Sequence, residues 1–336
     1  MPSILTRPFG RVLAGVVVLV LLALGWFALQ VDPMFSSRGK VVIVRVSAGE
    51  SVATLANDLQ AHGVIGSPWA YRLYSFVGGP TLRIGSYQIA QGSSFGHVSS
   101  VFEGPPNIVA IDVHAGQTLH EVTFSVVGAM GTNWANKFAK SITNDVKKSP
   151  FAQGSSLEGL IGVGQYIITP TTTPANLAER MVHGFVNEAA SVGLTSSTTL
   201  NGLNAYQLVI ASSIVEKEGY YPVNMPRVAR VIYNRLARGG PLQMDATVLY
   251  YLGQDGGTVT PADLHLHTPY NTYLNNGLTP TPICAVSTIA LNATLHAPPG
   301  SWLYFTLINQ DGTMKFSTTF DQQLAAEKLA QSRGIG

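Results

Sequence analysis

The longest unbroken apolar stretch of the chain comes first: RVLAGVVVLVLLALGWFALQVD carries no charge between Arg11 and Asp32. A helix over Val12–Val31, at about 1.5 Å per residue, covers roughly 30 Å, the depth of a bilayer's hydrocarbon core. Trp26 and Phe27 stand near its far end, where interfacial aromatics gather, and Arg7 and Arg11 precede it. The positive-inside rule then orients residues 1–11 to the cytoplasm and the rest of the chain away from it. A cleaved signal peptide is the competing reading. Its apolar region is ordinarily shorter and followed by small residues, whereas only Ala28 is small between Trp26 and Pro33. The expectation is an uncleaved single-pass anchor at 12–31 in the cell (inner) membrane, followed by a tether at 32–39.

Beyond the tether the apolar runs shorten and become periodic. KVVIVRV (40–46) is rich in β-branched residues and predicts a strand. The next segment has Val52, Leu55, Ala56 and Leu59 at helical spacing, Ser51 placed to cap and Gly63 placed to stop. Strand, turn and helix recur in NIVAIDVHAGQTLHEVTFSVV (107–127), where Val113, Ala115, Gly116, Thr118 and Leu119 align with Val46, Ala48, Gly49, Ser51 and Val52. That alignment reads as an internal repeat of one small α/β unit. A helix over Pro68–Gly78, a strand over Gly85–Ala90 and a helix from near Ser94 lie between the copies, so 40–106 reads as a compact α/β module. Further on, Thr173-Pro174 opens a helix reaching Ala190, and SVGLTSSTTLNGLN (191–204) reads as a loop.

Composition narrows the function classes. A chain of 336 residues buries enough surface for two or more domains without disulfide or metal staples, and its single cysteine, Cys284, forms no intramolecular bridge. A net charge of +2, with no basic stripe on any expected helix, argues against nucleic acid as a partner. GSSFG (92–96) has the spacing of a serine-hydrolase elbow but sits in a small module, where Ser93 or Ser94 serves equally well as a helix cap. DLHLHTP (263–269) sets His265 and His267 two apart between prolines and reads as a surface loop.

Against a background of 11% charged residues, IASSIVEKEGYY (210–221) places Glu216 and Glu218 inside an apolar run. Residues Leu203–Glu218 support a helix, and at about 100° per residue Glu218 falls at the centre of its apolar face, among Leu208, Ala211, Ile214 and Val215. Glu216 projects about 160° away, toward Ser212 and Ser213. Gly219 predicts a left-handed cap just after Glu218. A core-facing carboxylate at a helix C-terminus has its pKa raised by desolvation and by the helix dipole, which suits a general acid. The structural alternative is a buried Glu218 paired with Arg227, Arg230 or Arg235 of the next helix, PRVARVIYNRLARGG, which Pro226 opens and Gly239 stops. PLQMDATVLYYLG then brings Gln243 and Asp245 to the start of a third helix, with Asp245 suited to an N-cap. TPYNTYLNNGLTPTPI (268–283) is an irregular loop whose Tyr270, Asn271 and Tyr273 offer ring stacking and amide hydrogen bonds to a sugar.

At these segments the chain resembles the YceG family of endolytic murein transglycosylases, often called MltG. The resemblance runs through ASSIVEKEG, VARVIYNRLARGGPLQMDATVLYYLG, TPYNTYLNNGLTPTPI and WLYFTLINQDGTMKFSTTFDQQLAA, in order over 205–328. It implies an α+β fold comprising the N-terminal transmembrane helix, a LysM-like module at 40–106 and a mixed catalytic domain at 107–330 with a helical core. It also implies cleavage of the β-1,4 bond between N-acetylmuramic acid and N-acetylglucosamine in peptidoglycan glycan strands, leaving 1,6-anhydro ends. Glu218 matches the catalytic glutamate, and Gln243, Asp245, Tyr270, Asn271 and Tyr273 match positions expected to line the glycan cleft. Neither cofactor nor metal is required, and cell-wall synthesis enzymes are the implied companions. Two departures stand out: LEGLIGVGQY (157–166) where the family has a stretch like LEGFLFPDTY, and Gly219 where a polar residue is common. Two other readings are a hydrolytic muramidase with Asp245 or Glu216 as second carboxylate, and a non-catalytic wall-binding scaffold.

Overall fold

The computed structural model describes residues 6–33, 39–76, 78–154, 156–219 and 221–335, so residues 1–5 of the expected cytoplasmic segment and 34–38 of the expected tether lie outside it. Contacts divide the chain into two units, Met1–Ala110 with Ile167–Thr171 and Ile111–Tyr166 with Thr172–Gly336. Among the described residues every sheet has two strands, and helices make up most of the rest: the chain is mixed α and β.

The first unit begins with α1 (Thr6–Val31), whose segment Val12–Val31 is long and apolar enough to cross a membrane and is exposed along most of its length. β1 (Val41–Val46) follows, then α2 (Val52–Ala61), α3 (Pro68–Phe76), β2 (Gly85–Ala90) and α4 (Phe95–Glu103). β1 and β2 pair antiparallel from Val41 opposite Ala90 to Val46 opposite Gly85. On β1, Val44 and Val46 point inward while Ile43 and Arg45 face out, the two-residue alternation of a half-buried strand. The inward side chains meet Leu55, Leu59, Tyr71, Tyr87, Phe95 and Phe102 in one core. Ser51 caps α2 by accepting the Thr54 N–H at 3.1 Å, and Ser94, not Ser93, caps α4. Phe27 and Val31, from the last turns of α1, pack against this same core. The end of α1 is therefore built into the module.

β3 (Val109–Val113) pairs with β4 (Gly164–Ile168), and between them lie α5 (Leu119–Met130) and α6 (Thr132–Asn144). The strand, turn and helix of β1-α2 recur in β3-α5. Gly49 and Gly116 occupy the same left-handed turn position, with φ of 73° and 84°, each ahead of a capping hydroxyl. The second unit continues with α7 (Pro174–Ser191), capped by Thr173, and a small hairpin, β5 (Thr199–Leu200) and β6 (Leu203–Asn204). The expected loop thus contains two short strands. Asn201 and Gly202 between them have φ of 51° and 79°, the geometry that lets a two-residue Asn-Gly turn close a hairpin.

Next come α8 (Ala205–Glu218), α9 (Met225–Ala237), α10 (Asp245–Leu252), α11 (Thr288–Leu295), the antiparallel hairpin of β7 (Tyr304–Leu307) and β8 (Met314–Ser317), and α12 (Phe320–Ser332). α8 starts two residues later than its periodicity predicts because Leu203 and Asn204 belong to β6. Asn204 and Gln207 then close a reciprocal capping box with both bonds at 3.0 Å. α8 packs against α9, α10 and α11, and all residues from Ala205 to Val215 other than Gln207 are buried. The expected polar side of α8 is not exposed: Ser212 and Ser213 are buried and return their hydroxyls to the carbonyls of Leu208 and Ile210, both at 2.8 Å. A helix surrounded by three others is apolar all round, so its facial pattern carries less orientation than that of a surface helix.

Candidate active site

Polar chemistry emerges at the end of α8, where three consecutive side chains spread about 100° apart and reach three different elements. Glu216 accepts the N–H and hydroxyl of Ser287, at 2.9 and 2.6 Å, and Ser287 in turn caps α11. Lys217 donates to the Gly116 carbonyl at 3.4 Å and pairs with Asp255. Glu218 turns toward α10, where its Oε1 accepts the Ala246 N–H at 3.0 Å. The two glutamates therefore part as expected in direction, and Glu216 is engaged in holding a neighbouring helix.

Gly219 ends α8, but with φ −69° and ψ −22° it is not the expected left-handed cap. Its role is spatial. A Cβ there would stand 2.4 Å from Met225 Cγ and 2.8 Å from the Val215 carbonyl oxygen, so only glycine lets α9 start this close to the end of α8.

Glu218 is partly buried and borders a cavity of ≈ 380 Å³ shared with Arg235, Gln243, Asp245 and Tyr273 and walled by β7 and α12. That volume lies within the roughly 300–1,000 Å³ of small-ligand sites. Loss of water around the carboxyl pushes its pKa up to about 7. The Ala246 N–H opposes this, Asp245 adds to it through like charge, and Arg235 and Lys217 pull it down. The N–H belongs to the first turn of α10, whose positive end favours the carboxylate, while the C-terminal end of α8 disfavours it. Among the described residues Oε2 has no hydrogen-bond partner. One oxygen is fixed and the other is available.

Asp245 is the first residue of α10 rather than its cap, and its Oδ1 accepts the Tyr273 hydroxyl at 2.5 Å. Burial, followed by that bond to Asp245, raises the pKa of Tyr273 and keeps it a donor. Gln243 is exposed beside the cavity with φ 52°, a left-handed conformation costing a non-glycine residue about 1 kcal/mol. Its N–H donates to the Thr272 carbonyl at 2.9 Å and the next N–H, of Met244, to the Thr272 hydroxyl at 3.0 Å, which together hold the turn. Strain retained by such bonds is characteristic of functional sites.

The structure thus gathers Gln243, Asp245 and Tyr273 around Glu218. Tyr270 and Asn271 are placed otherwise. Asn271 is fully buried: its amide donates to the carbonyls of Leu264 and Leu266, at 3.0 and 2.9 Å, and its oxygen accepts the Tyr273 N–H. It shapes the loop that carries Tyr273. Tyr270 packs on Tyr250, ring centroids 5.0 Å apart, and meets the Thr281 hydroxyl at 2.9 Å, away from the cavity.

Arg235, which the sequence suggests only as a structural partner, borders the cavity and ties two of its walls. It donates to the Leu303 and Leu242 carbonyls, and its guanidinium lies 5.4 Å from the centre of the Tyr304 ring. Tyr304, Phe320 and Gln323, also on the cavity, lie in the C-terminal segment, where the sequence shows a motif without assigning roles. His265 and His267 are both exposed or nearly so, in and beside a short 3-10 turn.

Glu158, within the departing LEGLIGVGQY segment, is a second carboxyl of note. It is 5% exposed and bridges two helices, accepting the Leu119 N–H of α5 at 2.9 Å and the Tyr250 hydroxyl of α10 at 3.1 Å. Burial pushes its pKa up to about 7, against the lowering effect of those bonds.

The profile of the YceG-like family matches residues 44–328 of this chain. The chain is 27% identical over 326 residues to the endolytic murein transglycosylase of Bacillus subtilis (strain 168), covering 90% of this chain and 88% of that one. It is 23% identical to the endolytic murein transglycosylase of Streptococcus pneumoniae serotype 2, covering 85% of this chain and 57% of that longer relative. A crystal structure of a yceG-like protein, lmo1499 from Listeria monocytogenes, matches with a TM-score of 0.58 at 24% identity, covering 86% of this chain and 99% of that one; this likeness concerns the fold.

Proposed function

The chain belongs to the YceG-like family, and on that footing we propose that it is an endolytic murein transglycosylase, held at the cell membrane by α1 with its N-terminus in the cytoplasm and the parts that follow α1 outside it. The substrate is the peptidoglycan glycan strand, cut at the β-1,4 bond between N-acetylmuramic acid and N-acetylglucosamine. The observation that carries this reading is Glu218: one oxygen fixed by the Ala246 N–H, the other with no hydrogen-bond partner among the described residues beside a sugar-sized cavity, and a pKa of about 7. The protonated carboxyl gives its proton to the glycosidic oxygen as the bond from C1 to that oxygen breaks. The resulting carboxylate takes the proton of the muramyl 6-hydroxyl, and O6 closes on C1 to form the 1,6-anhydro ring. Atoms balance without water, and one glutamate serves as acid and then base.

Gln243, Asp245 and Tyr273 bind the sugars flanking that bond, through hydroxyl and N-acetyl groups. The β1-α2-α3-β2 module is read as LysM-like, on the support of an antiparallel strand pair enclosing two helices, and as a second point of hold on the wall. Cell-wall synthesis enzymes are the companions that fit an enzyme acting on nascent strands. A hydrolytic muramidase is the rival chemistry, for which Asp245 is the second carboxylate on the same cavity. Digestion of purified glycan strands by the full chain in detergent, with new ends read by mass spectrometry, separates the two. Anhydro-muramyl ends that vanish with Glu218→Gln are expected. Reducing ends carrying a solvent oxygen, or anhydro ends undiminished by Glu218→Gln, would overturn the reading.

A further inference from the structure

α3 turns an apolar face outward. Trp69, Leu73 and Phe76, spaced so that they share one side of the helix, are 62%, 47% and 89% exposed, while Ala70 and Tyr71 on the other side are fully buried in the module core. Large apolar side chains clustered on a surface mark a contact with something apolar.

The position of this face identifies that partner. Phe27 and Val31 anchor the end of α1 in the module core, and α3 packs directly against α1. The ring of Trp69 stands 6.3 Å from that of Trp26, and between the two helices runs a groove of ≈ 630 Å³ bordered by Val20, Leu24 and Phe27 with Leu73 and Tyr74. Val20 and Leu24 lie within the membrane-crossing segment Val12–Val31. Trp26, against which Trp69 stands, is five residues or about 7.5 Å inside the outer end of that segment, within the roughly 5–10 Å by which an interfacial helix sinks past the headgroups. Arg72, the cation of α3, is turned away, donating to the Ala53 carbonyl and the Asn57 side chain at 2.9 and 2.7 Å. The contact is therefore apolar rather than electrostatic.

We propose that α3 is a second membrane contact: it lies on the outer surface of the bilayer with Trp69, Leu73 and Phe76 inserted, and lipid acyl chains fill the groove it forms with α1. The inference rests on the reading of α1 as a membrane anchor. The module is thereby seated on the lipid by two helices, one crossing and one lying flat, the arrangement of an interfacial helix beside a span.

The test is fluorescence quenching of the full chain reconstituted in phosphatidylcholine vesicles whose acyl chains are brominated near the headgroup. Two single-tryptophan forms are compared, one retaining Trp69 (Trp26→Phe, Trp134→Phe, Trp302→Phe) and one retaining Trp26 (Trp69→Phe, Trp134→Phe, Trp302→Phe). Both are expected to lose emission by about twofold or more relative to unbrominated vesicles, as interfacial indoles do. Quenching of Trp26 with Trp69 unaffected overturns the docking of α3 and leaves the anchor standing; quenching of neither overturns the anchor as well. Nitroxide labels at Leu73→Cys and Phe76→Cys, in a Cys284→Ser chain with all four tryptophans, probe the same insertion without touching the indole rings. Greater accessibility to oxygen than to a water-soluble nickel complex supports insertion, and the reverse overturns it.

Discussion

Glu218 illustrates how one side chain's chemistry is set by its immediate neighbours. A carboxyl with a pKa of about 7 holds its proton about half the time at neutral pH, so the proposed action of Glu218 as an acid falls as pH rises through that value. The pH dependence of kcat/KM is expected to show an alkaline limb near 7. Because the Asp245 charge raises that pKa, Asp245→Asn is expected to move the limb to lower pH, with Asn still able to accept the Tyr273 hydroxyl. Glu218→Gln, which has no proton to give, is expected to lower kcat/KM by about 10²–10⁴. The sequence separates the two glutamates because the angular spacing of a helix depends on residue number alone. It misplaces the role of Gly219 because the crowding by Met225 and the Val215 carbonyl is a matter of packing. Gly219→Ala is expected to cost roughly 1–3 kcal/mol of stability by denaturant titration, the range for overpacking a tight site.

Between elements, the organising device is a carboxylate set at a helix start. Glu218 receives the N-terminal turn of α10, Glu158 that of α5, and Glu216 the cap residue of α11. Glu158 also binds Tyr250, so α5 and α10 are joined through a single buried group. In the fold its carboxyl keeps a proton up to about pH 7, against an ordinary value of 4.5. The folded state then binds more protons than the unfolded state in this window, and the contribution is greatest below about pH 4.5 and lost as pH rises to 7. The range is up to about 3 kcal/mol. Thermal unfolding as a function of pH is expected to show this fall, and Glu158→Gln, which mimics the protonated acid, is expected to make it shallower, the remainder belonging to Glu218 and Glu188, which burial also raises to about 7.

Helices with clear caps, such as α2, α4 and α7, are legible because Ser51, Ser94 and Thr173 sit next to periodic apolar runs. The β5–β6 hairpin escapes because two-residue strands have no periodicity, although its Asn-Gly turn is a usable sign. The cavity walls from β7 and α12 are invisible as walls, since they close on α8 only through the tertiary fold.

At the scale of the molecule, the ordered motifs and the apolar first helix point to the mixed α and β class and to the family. They do not reveal that this first helix and the module share a core. Phe27 and Val31 are side chains of both. The helix that would be drawn as a leash is therefore also a wall of the first folded unit. A form cut after Pro33 is not the same protein minus one helix: it exposes the apolar surface that Phe27 and Val31 covered. The module in such a form is expected to open more readily than its counterpart in the full chain, measured by hydrogen exchange across 40–106. Peptides of α8 serve as the internal standard. What looks like a convenient place to trim the chain is, in mechanical terms, part of its foundation.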